Sequence, residues 1–517
     1  MPPKVAIIGH FVPAPAILPA PKNPLKLSAL LHAYNYNRVL TDDNELVDHL
    51  AYLKRERGAP AQEPYSVWEM YLCAGLLLNS HLERHGVATL LVTYIASDNQ
   101  ESALRRLRDF NPDIVALSST FMFFPKHLCD AVSAIRGVLP RACIVAGGHH
   151  VFTALMNMNA EEKKRYLAAS GVDAFIDDVQ GEKALLDLAR AWPADLAAVP
   201  NLIWKNRGSP EATINARRSE DNDINSTPIE FTSLPPGAIV HVRTARSCAF
   251  TCAFCSYPAI AGDLALMDLD NAVATVRRAR AAGVSSLIFV DDTFNVPQPR
   301  FEAFLDRLIA EKLRVPWYSF LRCQFVTERL VEKMKESGCA GVFLGLESGS
   351  DRVLKNMMKG GKVKSYAPGI QWLKNNGIFT VGSFVIGFPG ETAETVAETK
   401  DFIENAGFDF YFMQPFYYQH HTPIHQSAAR YGLEGKALLW KHSTMDSVEA
   451  RRHMDELFRT ISGPTFVNPD TNLWEVAYLR SKGMSLDEIH AYRKTINAMT
   501  VAQMTRVSSP ASQTTGI

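Results

Sequence analysis

Neither sign of charge dominates this 517-residue chain: 54 Lys and Arg balance 54 Asp and Glu. A basic field that could hold nucleic acid or an anionic membrane without specificity is therefore lacking, and small molecules are the expected partners. Long hydrophobic runs are lacking too. None approaches the roughly 20 apolar residues that a bilayer span needs. The opening MPPKVAIIGHFVPAPAILPAP has no charged segment followed by a continuous apolar one, which predicts a cytoplasmic protein. Cysteine is scarce, eight residues in all, too few and too clustered for a secreted disulfide framework. Reduced thiols able to bind metal fit better. Solenoid-length repeats are absent as well.

What is present is an alternation of strand and helix patterns. With 47% hydrophobic residues and about 150 residues per domain, roughly three units are expected. In residues 1–205, KVAIIGH (4–10), ATLLVTYI (88–95), DIVALSST (113–120) and ACIVAGGHH (142–150) read as buried strands. Helical spacing over 70–86 and 124–140 separates them, and KALLDLARAW (183–192) closes the unit. This predicts an α/β, doubly wound Rossmann-like domain with ligands at the carboxyl ends of its strands, where SST and GGHH stand. Residues 10–68 interrupt the pattern, Pro-rich first and charged later, with SALLHAYNYNRVL keeping helical periodicity. They read either as an inserted lid or interface arm or as a disordered linker. Polar, turn-rich residues 206–235 form the expected boundary. From 236 to 425 six further strand patterns alternate with helices such as 268–283 and 327–338, predicting a β/α partial barrel with its chemistry at the strand ends. Residues 426–517 read as a helical region ending in a disordered Ser/Thr tail.

The first barrel strand leads into RSCAFTCAFCSYP, which places Cys248, Cys252 and Cys255 in a C-x3-C-x2-C array. Structural zinc takes four ligands, usually as two spaced pairs. Here Cys143, Cys323 and Cys339 stand too far along the chain to make a second pair. A 4Fe-4S cubane held by three thiolates instead leaves one iron open to a small molecule.

With an aromatic residue, Phe254, before its last cysteine, this loop resembles the signature of radical S-adenosylmethionine (SAM) enzymes. The resemblance implies a 4Fe-4S cluster on Cys248, Cys252 and Cys255, with the amino and carboxylate groups of SAM on the open iron. It implies one-electron cleavage of a sulfonium C–S bond, the cofactor doing the difficult chemistry, and a flavodoxin- or ferredoxin-type electron donor. Further blocks match in order. By the same resemblance, FVDDTF would bring Asp291 and Asp292 to the SAM amino group, FLRCQF would bring Arg322 to its carboxylate, and FLGLESGS would bring Glu347, Ser348 and Gly349 to its ribose. GSFVIGFPGET, with Gly387, resembles the glycine-containing strand beside the adenine. Taken singly, the carboxylate pair reads as a helix N-cap, Arg322 as a surface ion pair, and Gly387, Pro389 and Gly390 as a turn.

The first domain resembles the cobalamin-binding domain that precedes the barrel in one large radical SAM subclass, with Ser118, Ser119, Thr120, Gly147 and Gly148 as implied contacts. D-x-H-x-x-G is missing, so no histidine can be assigned below cobalt. Cobalamin without a protein ligand, a domain that no longer binds it, and a plain scaffold all stay open. QPFYYQHHTPIH, YGLEG and LLWKHSTMDSVEA resemble the radical SAM P-methyltransferases of phosphinothricin-type biosynthesis and their relatives in arsinothricin-type pathways. This implies Tyr417, Tyr418, His420 and His421 at the substrate, although the two histidines could equally cap the last barrel strand. The expected activity is transfer of a SAM-derived carbon group to phosphorus or arsenic of a small amino-acid-like precursor, foremost cobalamin-dependent methylation of a phosphinate. The alternatives are 3-amino-3-carboxypropyl transfer to trivalent arsenic, methylation of an unreactive carbon and, from another class, a zinc-stabilised metabolite-binding protein.

Overall fold

The computed structural model describes residues 3–12, 38–41, 45–60, 63–122, 124–205, 211–468 and 472–507. Most of the Pro-rich segment of the expected arm and the Ser/Thr tail beyond 507 thus lie outside the described residues. The chain divides into two compact units: Met1–Ala16 with Ala61–Pro64 and Trp68–Val242, and Ile17–Pro60 with Tyr65–Val67 and Arg243–Ile517. Among the described residues, no helix is long and apolar enough to cross a membrane.

In the first unit, strands pair in the order Thr89–Val92, Val5–Ile8, Ile114–Ser118, Cys143–Gly147, Ala174–Ile176, all parallel. Leu202–Lys205 and Ala212–Ile214 extend the sheet antiparallel. The strands are apolar along their length because both faces are covered. Ala6, Ile8, Val115, Leu117, Ile144 and Ala146 enter one core, while the alternate Val5, Ile7, Ile114, Ala116, Cys143 and Val145 enter another. The order reverses between Val5–Ile8 and Ile114–Ser118, and at such a point open α/β sheets take their ligands.

In the second unit Ser286–Phe289, Trp317–Leu321, Cys339–Glu347, Phe379–Ile386, Phe410–Pro415 and Thr465–Phe466 pair successively in parallel. The helices Gln298–Ala310, Glu328–Ser337, Ala367–Asn375, Ala393–Asn405 and Ser447–Thr460 fall between them in sequence, and Leu269–Ala281 precedes the first. Loops at the strand ends are anchored from below: Phe294, just past the carboxylate pair, stacks on Phe289 at 4.3 Å and meets Trp317 edge-on at 5.8 Å.

Two expectations need correction. Arg38–Leu40, the described end of the stretch read as helical, is a strand paired with Leu46–Asp48; β-branched Val39 faces Val47 across the pair, and pairing overrides the weak helical period. Residues beyond 425 are not all helical. Glu434–Lys436, Leu439–His442 and Met445–Asp446 form an antiparallel sheet, turned by the left-handed residues Gly435 (φ 96°) and Ala437 (φ 52°). Thr465–Phe466 also adds a strand, too short to leave a periodic signal. The helices Ser447–Thr460, Asn472–Ser481 and Leu486–Val507 follow the expectation. The last is held by buried Arg493, which donates to Glu475 at 3.0 Å and to Nδ1 of His49 at 2.9 Å.

Candidate active site

Ala245–Arg246 pairs antiparallel with Ala265–Leu266, closing the neck of the loop that carries the cysteines. Ser247 takes a left-handed backbone (φ 70°), and its hydroxyl donates to the Gly262 carbonyl at 2.6 Å. The peptide of Ala253 is clamped on both sides, its N–H to Met357 O at 2.8 Å and its carbonyl to the N–H of Ile424 at 2.9 Å. Cys252 and Phe254 are thereby held in place. Cys252 is buried, Cys248 and Cys255 are half-buried, and all three are free thiols.

Arg322 binds this loop directly. Its Nη2 donates to Cys252 Sγ at 3.0 Å and its Nη1 to Lys359 O at 2.7 Å, while the guanidinium lies 3.5 Å over the ring centroid of Phe250. Asn295 secures the Arg322 backbone through two hydrogen bonds. Thr293 brings its hydroxyl to 3.5 Å from Cys248 Sγ. Burial pushes the Cys255 thiol up to about 12, with Asp292 adding to the shift, so a metal binding there must displace a proton. Among the described residues no three His, Cys, Asp or Glu side chains converge on a single-ion position, so the zinc reading gains no geometric support. The donor set is three soft thiolates carried on one short loop, with a charged donor at the buried one, and that chemistry suits an iron–sulfur cluster.

The other barrel residues divide by their partners. Asp291 accepts from the Thr244 N–H and hydroxyl, both at 2.7 Å, and from the Ala245 N–H at 2.8 Å, so its carboxylate is already occupied holding the approach to the cysteine loop. Asp292 is exposed as a residue, yet its carboxyl sits among desolvating groups beside Asp291, which together push it up to about 7. Ser348 is fully buried, accepts the Ser350 N–H at 3.1 Å and lies 3.3 Å from the Thr399 hydroxyl. Glu347 adopts φ 69° and pairs with Lys359 at 2.7 Å, both side chains under 10% exposed. Gly387 has φ 89°, and a Cβ there would stand 2.4 Å from Trp440. Its N–H donates to buried Glu391, whose carboxyl is pushed up to about 8 by burial.

Beside Cys255 opens a cavity of about 230 Å³, lined among others by Phe254, Tyr257, Gln414, Tyr417 and Gln419. Of the expected substrate residues, Tyr417 lines it. Tyr418 is buried and bonds to Nδ1 of His425 at 2.6 Å, and His420 Nε2 bonds to Gly435 O at 3.1 Å. His421 keeps a buried Nε2 without a partner.

In the first unit the Ser/Thr and Gly-Gly loops meet. Ser119 donates to Gly147 O at 2.7 Å and accepts the Val151 N–H at 3.1 Å, locking two strand ends together. Ser118 and Thr120 join hydroxyls at 3.2 Å. Gly148 takes φ 96°, ψ −177°, a region open essentially to glycine alone, and a Cβ there would lie 3.0 Å from Thr120 Oγ1. Gly148→Ala is therefore expected to destabilise the first unit by about 1–3 kcal/mol, measured by chemical denaturation; an unchanged midpoint would show that the turn relaxes freely.

The radical SAM superfamily model matches residues 242–403. This chain carries a radical SAM domain. An uncharacterized methyltransferase of Pyrococcus horikoshii is 26% identical over 356 residues, covering 63% of this chain and 72% of that protein. An anaerobic magnesium-protoporphyrin IX monomethyl ester cyclase of Rubrivivax gelatinosus is 31% identical over 352 residues, covering 64% of this chain and 60% of its own length. Among solved structures, the radical SAM methyltransferase TsrM of Kitasatospora setae, with cobalamin and a [4Fe-4S] cluster bound, superposes with a TM-score of 0.60 at 15% identity, covering 84% of this chain and 96% of that one. The cobalamin-dependent radical enzyme OxsB reaches a TM-score of 0.52 at 16% identity, covering 78% of this chain and 52% of its own. At these identities the two structures establish a likeness of fold.

Around the radical SAM domain's cysteine loop, Thr293, Phe250, Asn295 and Lys359 escaped sequence reasoning. Thr293 and Phe250 lie within the quoted motifs FVDDTF and RSCAFTCAFCSYP and could have been singled out; Lys359 lies 12 residues past its partner with no local signal. Arg322→Gln should leave three thiolates in place yet remove a charge-assisted bond to one of them, at a cost of about 1.5–3 kcal/mol to the more negative redox state. A lower reduction potential is expected in an EPR-monitored titration; an unchanged potential would show that the contact has no electrostatic role.

Proposed function

We propose that this chain is a cobalamin-dependent radical SAM methyltransferase acting on the phosphorus of a small, amino-acid-like phosphinate. The observation that carries the reading is the three-thiol loop, gripped by Arg322 and opening beside the cavity at Cys255. Cys248, Cys252 and Cys255 would hold the cluster. Asp292, Arg322 and Glu347 stand at successive strand ends where SAM would be bound, Glu347 once its pairing with Lys359 is shared. The first unit fits a corrinoid: Ser118, Thr120 and the Gly147–Gly148 backbone bring neutral hydrogen-bonding groups together at adjoining strand ends, packed so closely that position 148 has no room for a Cβ, and an amide-fringed macrocycle asks for neutral partners. When bound, the cluster and SAM supply one-electron C–S cleavage and the corrinoid supplies a methyl carrier.

The chain's own part is binding and exclusion. Phe250, 3.5 Å beneath the Arg322 guanidinium and stacked on Phe325 at 5.8 Å, holds the guanidinium against the cysteine loop. Tyr257, Gln414, Tyr417 and Gln419 line the cavity with hydrogen-bonding groups but no formal charge, which suits a singly charged phosphinate over a dianion, since burying a second uncompensated charge is costly. The electron comes from outside, from a flavodoxin- or ferredoxin-type donor.

Anaerobic incubation with SAM, cobalamin, dithionite and a phosphinate amino acid tests this. One 5′-deoxyadenosine and one S-adenosylhomocysteine are expected per product, which is heavier by one CH2. Methylthioadenosine without 5′-deoxyadenosine would instead indicate 3-amino-3-carboxypropyl transfer and overturn the proposal.

A further inference from the structure

His10 follows the strand Val5–Ile8 by two residues, at the point where strand order reverses toward Ile114–Ser118. The residue between is pinned: a Cβ on Gly9 would stand 2.6 Å from Thr93 O. The imidazole is 5% exposed. It lies 4.0 Å from the Trp68 ring and meets Phe121 edge-on at 5.8 Å, and these two rings are 5.1 Å apart. Its Nδ1 is sealed from water without a hydrogen-bond partner, and among the described residues no hydrogen bond engages the other ring nitrogen either. Burial, with His127 adding to it, pushes the ring's pKa down to about 3.

An orphaned buried polar nitrogen costs about 1–3 kcal/mol, and interiors rarely keep one without a use. Three rings converge at the switch point, and one of them carries a ring nitrogen that no described residue engages. The surrounding chemistry excludes a bare ion, because no three His, Cys, Asp or Glu side chains among the described residues converge on one. A flat macrocycle carrying its own metal needs only one axial atom from below, and neutral imidazole suits first-row transition metals.

We propose that His10 presents its imidazole nitrogen to the cobalt of a corrinoid bound at this switch point, without the D-x-H-x-x-G motif. The inference rests on the cobalamin reading above. Ligating histidines usually donate their second nitrogen to a carboxylate or carbonyl; here tilted packing against Trp68 at 4.0 Å orients the ring instead, so the bond to cobalt is expected to be labile.

EPR of the full chain loaded with natural-abundance cobalamin and reduced to Co(II) tests it. With unlabelled protein the cobalt lines should split threefold from a ¹⁴N ligand; with ¹⁵N-labelled protein they should split twofold. His10→Ala should abolish the protein-derived splitting while the absorbance of bound cobalamin persists. Threefold splitting that survives ¹⁵N labelling would identify the cofactor's own base as the ligand, and absence of splitting in either sample would show no nitrogen below cobalt; both overturn the assignment. If His10→Ala does not fold, the labelled and unlabelled unmutated chains still decide between these outcomes. Failure to retain any cobalamin would overturn the methyltransferase reading itself, and the assignment with it.

Discussion

Cys252→Ala is expected to take iron from about four per chain to near background and to reduce SAM cleavage by at least about a thousandfold. Cys252 is the most buried of the three thiols, 6% exposed, and the one that accepts from Arg322. Its removal leaves two ligands, too few to hold a cubane, and strands a buried guanidinium donor without its acceptor. Iron and sulfide assays, EPR after dithionite reduction and chromatography of SAM products measure the effect. An alanine variant that kept four irons and cleaved SAM would place the cluster elsewhere. Because the Ala253 peptide clamps do not involve the thiol, the loop should keep its backbone, and circular dichroism should be unchanged.

Lys359→Met should destabilise the second unit by about 3–5 kcal/mol, the usual result of removing one partner from a buried ion pair. Lys359 Nζ stands 2.7 Å from Glu347 Oε1 and the two side chains are 6% and 9% exposed. The cost arises mainly from the carboxylate left alone, so Lys359→Met combined with Glu347→Gln should recover most of the loss. Urea denaturation reads both variants through the midpoint at constant slope. Equal destabilisation in the single and the double variant would refute the pairing argument. If Glu347 also contacts SAM, the double variant regains stability without regaining SAM affinity, which separates the two roles.

Much of this site is legible along the chain. C-x3-C-x2-C needs eight residues to be recognised, and the strand patterns that precede Asp291, Arg322, Glu347 and Gly387 are local. What these residues touch is less legible. Asp291 and Ser348, singled out as cofactor contacts, bond within the protein, because a strand-end polar group can turn either to a ligand or to the neighbouring loop. Tyr418 and His420 likewise spend their polar atoms on His425 and Gly435, and the small sheet at 434–446 that supplies Gly435 left no strong period to read.

The sequence by itself determined the β/α alternation, the open three-thiol loop and the lack of a charged field, since periodicity, spacing and charge are properties of neighbouring residues. Only the tertiary structure decided that Arg322 meets Cys252 across 70 positions, that Lys359 guards Glu347, and that His10 stands orphaned at the switch point. Such contacts depend on which strands pair and in what register, and these are settled by burying two faces of a sheet at once, a condition that no local stretch carries.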